Sequence, residues 1–195
     1  MGKIVFNYGC MGSGKTSKML TQFDAYRRRK RNPVIIKPKI DTRETTSDES
    51  KKFVGWGVTK SRITKNEEPT YYFDNLEEEL TQLSFGVLFV DEVQFLTHED
   101  VLVLCKLADE KDIDIFCYGL KTDVNGNLFT GTQSLLALCD EMIEIETPCE
   151  IEGCQCKAVS HIRFINGERD NSGKSVAIEQ GNVTYKSVCR KHWLE

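Results

Sequence analysis

A chain of 195 residues with 39% hydrophobic and 29% charged positions is long enough to bury one good core and a small appended module, which excludes wholesale disorder. With 26 basic residues against 30 acidic ones the net charge is -4, so no overall basic footprint points to a nucleic-acid partner. No window approaches the roughly 18 consecutive apolar residues of a membrane span, and the amino end runs into a strand pattern instead of a leader's apolar region. The expectation is a cytoplasmic protein with no membrane partner.

Lys3 to Tyr8 is a short apolar run that stops at Gly9, and from Thr16 to Arg31 the apolar positions Met19, Leu20, Phe23 and Tyr26 recur at helical spacing. Asn32-Pro33 ends that helix, and Val34 to Ile36 reads as a second buried strand, which completes a βαβ unit. Residues 41 to 70 are polar without a sustained period and are expected to form a long loop. A short helix over Leu76 to Leu83 leads to the apolar run Val87 to Val90, a central parallel strand that stops at Asp91-Glu92. A helix over Val101 to Ala108, a strand over Ile113 to Tyr118, a helix over Ser134 to Cys139 and a strand over Met142 to Ile145 follow. This alternation predicts an α/β fold, a parallel sheet with helices on both faces.

From Cys149 the texture changes to short β-like pieces, Ala158 to Ile165, Ser175 to Ile178 and Val183 to Val188, separated by Asn-Gly, Ser-Gly and Gln-Gly turns. The chain therefore divides into a core over residues 1–147 and a smaller β module over 148–195. Cys10, Cys105, Cys117 and Cys139 lie scattered in apolar surroundings, as small buried hydrophobes of a reducing compartment do. Cys149, Cys154, Cys156 and Cys189 crowd the carboxyl-terminal module instead.

The stretch Gly9-Cys-Met-Gly-Ser-Gly-Lys-Thr16 matches G-x-x-x-x-G-K-S/T in full, between a predicted strand and a predicted helix. In such a P-loop the backbone N–H groups of Gly9, Met11, Gly12, Ser13 and Gly14 curl around phosphates. Lys15 reaches the β and γ oxygens and the Thr16 hydroxyl ligates Mg²⁺. Asp91, a carboxylate closing an apolar strand, is the expected second half of an ATP and magnesium site. Glu92 beside it is placed to take a proton from a hydroxyl acceptor or from water. The Arg27 to Arg31 run is read as a solvated helix end that complements the negative carbonyl terminus.

Asp91-Glu-Val-Gln-Phe95, Lys37-Pro-Lys-Ile-Asp-Thr-Arg43, Tyr118 to Asp123 followed by Leu128-Phe-Thr-Gly131, and Tyr185 to Trp193 together resemble the cellular, zinc-containing class of thymidine kinases. The likeness is strongest to bacterial and bacteriophage members, and it runs in order along nearly the whole chain. It implies transfer of the γ-phosphoryl of ATP to the 5′-hydroxyl of thymidine or deoxyuridine. It also implies a RecA-like P-loop core, a zinc-tethered lasso over the base, a homotetramer, and thymidine triphosphate as feedback inhibitor.

Carried over by motif, Glu92 is similar to the family's general base, and Thr16 with Asp91 to its magnesium site. Arg62 resembles the arginine that meets the transferring phosphate, where a guanidinium stabilises charge that is largest in the transition state. Met11, Phe95, Leu120, Val124 and Phe129 resemble the apolar lining of the nucleoside pocket, and Tyr185 a sugar-contacting tyrosine. His161 stands where the family commonly has threonine, and backbone groups near Ile178 and Gln180 correspond to those that read the thymine edge.

Cys189-x-x-His192 pairs with cysteines between 149 and 156 to offer four ligands for a tetrahedral structural Zn²⁺, three candidates competing for two places. Aligned on Lys157-Ala158, Cys149 and Cys154 match the family's ligands and Cys156 is held in reserve. Two other readings stay open at this point: an ATP-driven nucleic-acid remodeller, since Asp-Glu-x-Gln also ends helicase-like strands, and a catalytically silent nucleotide sensor.

Overall fold

The computed structural model describes residues 2–39, 55–61, 63–170, 172 and 182–195. Arg62, Ile178 and Gln180 lie outside the described residues, as does the predicted strand over Ser175 to Ile178.

The first strand, β1 (Ile4–Gly9), runs straight into the P-loop, and α1 (Lys15–Arg28) starts on its lysine. The helix stops three residues short of the predicted Arg31, because Lys30 and Asn32 both take positive φ in turning the chain toward β2 (Pro33–Pro38). The segment read as a long loop is partly sheet. β3 (Gly55–Lys60) and β4 (Glu67–Phe73) form an antiparallel hairpin at the edge of the large sheet. The edge strand β3 exposes one face and carries no apolar run, and its order comes from the backbone ladder to its neighbour, so composition hid it.

After α2 (Leu76–Leu80) come β5 (Val87–Asp91), a 3₁₀ turn over Val93–Phe95, α3 (His98–Lys111), β6 (Asp114–Leu120), α4 (Thr130–Leu138) and β7 (Glu141–Glu144). The seven strands lie in the order β3-β4-β2-β5-β6-β1-β7, all parallel except β3. Successive strand residues serve opposite faces. Phe6, Ile36, Leu88, Val90 and Ile115 pack with Val101 and Leu104 of α3 and Leu135 of α4, whereas Val5, Ile35, Val87, Phe89 and Phe116 pack with Met19, Leu20 and Phe23 of α1. Both faces are thus covered, as parallel sheets require.

A second sheet holds β8 (Ser160–Ile165), β9 (Glu168–Arg169) and β10 (Val183–Val188), antiparallel in the order β10-β8-β9, and α5 (Arg190–Leu194) closes the chain. Between the two sheets residues 147–158 fold back on themselves: Ala158 N–H donates to Thr147 and Cys149 N–H to Cys156, each at 2.9 Å. Glu150 N–H to Ser187 at 2.8 Å and Val159 N–H to Val188 at 2.9 Å tie this hairpin to β10.

Candidate active site and metal centre

The P-loop, Asp91 and Glu92 collect at the carboxyl ends of the parallel strands, where the ladder stops and loops diverge. Gly12 and Gly14 hold φ of 76° and 82°, a left-handed conformation that a side chain would strain, and this curl lets the loop pass from strand to helix. Lys15 Nζ lies within the curl and donates to the Cys10 carbonyl at 2.7 Å. Thr16 follows in the first turn of α1, with its N-terminal N–H groups toward the same space.

Asp91 ends β5, is 3% exposed, and forms a buried ion pair with Lys37 of β2, Nζ to carboxylate 3.8 Å. Its other oxygen accepts the Glu92 N–H at 3.0 Å. Glu92 itself adopts φ 55°, ψ 40°, a left-handed conformation that costs a non-glycine residue about 1–2 kcal/mol, and so turns its carboxylate off the strand line. Gln94 Nε2 meets that carboxylate at 2.5 Å, and Gln94 Oε1 accepts the Leu120 N–H at 3.1 Å. A cavity of about 120 Å³ is lined by Met11, Gly12, Gly14, Lys15, Thr16, Glu92 and Leu120, which joins phosphate loop, carboxylate and apolar wall in one space. Ser61 and Ile63 at the end of the β3–β4 hairpin form its far wall, anchored by a 2.6 Å contact between the Ser61 and Ser17 hydroxyls.

Phe95, Phe129 and Val124 do not line this cavity. Phe95 and Phe129 meet edge to face, centroids 6.1 Å apart. Val124 faces a different cavity, of about 310 Å³, with Arg163, Asp170 and Trp193, and its carbonyl accepts the Trp193 indole N–H at 3.0 Å. His161 is buried beside a small space lined by Gly9 and Cys10 and stands edge-on to Tyr185, centroids 6.0 Å apart. Burial, reinforced by the Lys15 charge, pushes its pKa down to about 4 against a weaker pull from Asp123, so the imidazole is neutral at pH 7.

At the far end of the second sheet the Cys149, Cys154 and Cys189 thiols and the His192 ring lie within 4.8 Å of one another. His192 Nδ1 is 3.4 Å from Cys149 Sγ and 3.3 Å from Cys189 Sγ, and the Cys154 and Cys189 sulfurs are 3.9 Å apart. Ligands of a tetrahedral zinc, at about 2.3 Å for sulfur and 2.0–2.1 Å for nitrogen, stand roughly 3.5–3.8 Å from each other, so the donor set and its spacing fit that ion. Cys156 is exposed, outside this group.

A family model for thymidine kinase matches residues 2–193. The chain belongs to the thymidine kinase family. Membership makes it an ATP-dependent nucleoside kinase. The thymidine kinase of Ruegeria pomeroyi is 36% identical over 196 aligned residues, covering 100% of this chain and 95% of the relative. The thymidine kinase of Legionella pneumophila strain Paris is 35% identical, covering 99% of this chain and 90% of the relative. That of Escherichia coli K12 is also 35% identical, covering 100% of this chain and 92% of the relative. Among the described residues no helix is long and apolar enough to cross a membrane.

Three residues near this thymidine kinase site were given no role by the sequence reading, although they lie in the motifs that carry the resemblance. Lys37, Gln94 and Ser187 are polar, and their burial, at 0%, 2% and 1% exposure, marks them as placed.

Proposed function

We infer that this protein transfers the γ-phosphoryl of ATP to the 5′-hydroxyl of thymidine, and of deoxyuridine. The observation that carries the reading is the single cavity shared by the P-loop and Glu92, since phosphoryl transfer requires a phosphate cradle and a proton acceptor facing one point. The 5′-oxygen forms a bond to the γ-phosphorus while the bond to the β,γ-bridging oxygen breaks. ADP leaves, and the hydroxyl proton passes to the Glu92 carboxylate. Lys15, the P-loop N–H groups and the amino end of α1 hold the phosphate charge, and Arg62, similar by motif to the family's arginine, adds a guanidinium.

Thr16 and Asp91 offer the hard oxygen ligands that suit Mg²⁺, which when bound neutralises charge on the phosphate oxygens. Cys149, Cys154, Cys189 and His192 would hold a structural Zn²⁺, clamping residues 149–154 to the carboxyl terminus and so fixing both ends of the module over 148–195. Met11, Phe95, Leu120, Val124 and Phe129 supply apolar surface for the nucleoside, with Tyr185 at the sugar. His161, neutral and buried, stands beside the base, and backbone near Ile178 and Gln180 reads its edge. Family membership supports two further readings, a homotetramer and inhibition by thymidine triphosphate.

The test is transfer of labelled γ-phosphate from ATP with magnesium to thymidine, deoxyuridine, deoxycytidine or no acceptor. Labelling of thymidine and deoxyuridine is expected; no labelled nucleoside, or labelling of deoxycytidine alone, would overturn the reading.

A further inference from the structure

Gln94 occupies a seat that four other positions shape. Its oxygen takes the Leu120 N–H, and because that N–H can only donate, the amide orientation is fixed: the nitrogen must face Glu92. Gly119 leaves room for the amide, since a Cβ there would stand 2.6 Å from Gln94 Oε1 and 2.7 Å from Val93 Cγ2. Thr132 of α4 secures the next peptide unit, donating its hydroxyl to the Leu120 carbonyl at 2.7 Å. Gly131 permits α4 to come this close, because a Cβ there would lie 2.2 Å from the Val93 carbonyl oxygen.

We propose that Gln94 is a positioning residue for phosphoryl transfer, which aims the Glu92 carboxylate by gripping it from the end of β6 that also forms the Leu120 wall of the cavity. The proposal rests on the reading of Glu92 as proton acceptor. Glu92 sits in a left-handed turn with a flexible side chain, and an N–H donated from a buried amide selects one orientation of its carboxylate. The two hydrogen bonds of the one Gln94 amide link the 3₁₀ turn to the end of β6, so the direction of the carboxylate and the position of the Leu120 wall are set together.

The experiment compares Gln94→Met and Gln94→Glu, alone and combined with Glu92→Gln, measuring kcat and the KM for thymidine and for ATP together with thermal melting. Methionine keeps the length and loses the donor. Glutamate keeps an acceptor for the Leu120 N–H but turns an acceptor toward Glu92. The expected order of kcat is glutamine above methionine above glutamate, with at least about a tenfold fall for methionine, KM for ATP within about twofold, and no further fall from Gln94→Met once Glu92 is Gln. A residue that only seats Leu120 would tolerate glutamate and would act independently of Glu92. Either native-like kcat in Gln94→Met or additive losses in the double variant would therefore overturn the proposal. If methionine prevents folding, the glutamate variant and its double carry the same test. Full turnover in Glu92→Gln alone would instead refute the role of Glu92, a separate failure.

Discussion

The Ser187 hydroxyl donates to the Met11 carbonyl at 2.5 Å, although 176 positions separate the two in the chain. Ser187 is buried in β10, two residues before Cys189, and its N–H donates to the Glu150 carboxylate. The phosphate loop is therefore braced from the module that carries the metal ligands.

Replacing Ser187 by alanine removes that brace without enlarging any side chain. The expected loss is about 1 kcal/mol of stability, a lowering of Tm by roughly 2–4 °C for a chain of this size. Affinity for ATP is expected to fall by up to about fivefold for the same energy, measured by nucleotide titration. Native affinity and native melting together would show that Met11 holds its position without Ser187.

Glu92→Gln preserves shape, and amide hydrogen bonds to Gln94 remain available in it. ATP binding and melting are expected to stay near native while kcat falls about 10²–10⁴-fold, because the proton acceptor is gone. Steady-state kinetics with thymidine and an equilibrium nucleotide titration read the two effects apart.

Metal analysis is expected to find one zinc per chain, held by the four-residue group. Cys189→Ser is expected to lose the metal and to melt earlier, since four-ligand sites contribute directly to folding. Cys156→Ser is expected to keep it, because Cys156 is exposed and outside the cluster. Retention in the first variant or loss in the second would reassign the ligand set.

His161 is held neutral in the folded state with its pKa near 4, while an unfolded histidine titrates near the usual 6.5. As pH falls below 6.5 the unfolded chain takes up a proton that the folded chain refuses, so stability declines until about pH 4 and levels off there. The full effect is of order 3 kcal/mol. Chemical denaturation from pH 7 to pH 4 is expected to show a shallower loss in His161→Gln than in the native protein. Parallel slopes would mean that the imidazole is protonated within the fold.

The contribution of local sequence was uneven. The P-loop and the strand ending in Asp91 were legible because both depend on short contiguous patterns, glycines at fixed offsets and an apolar run closed by acids. The edge strand β3 was not, since a strand at a sheet edge is stabilised by its partner's backbone and needs no apolar signature. The same holds for Lys37: within Pro33–Pro38 it interrupts an apolar strand, and its reason for burial, the Asp91 carboxylate, comes from a strand some fifty positions later.

Sequence by itself determined the α/β order of elements, the phosphate loop and the candidate metal-binding residue types, because each follows from chemistry within a few neighbouring positions. Tertiary structure decided which thiols converge with His192, which amide faces Glu92, and which hydroxyl braces the P-loop. Those choices depend on distances between residues remote in the chain, which only the packing of strands and loops can set.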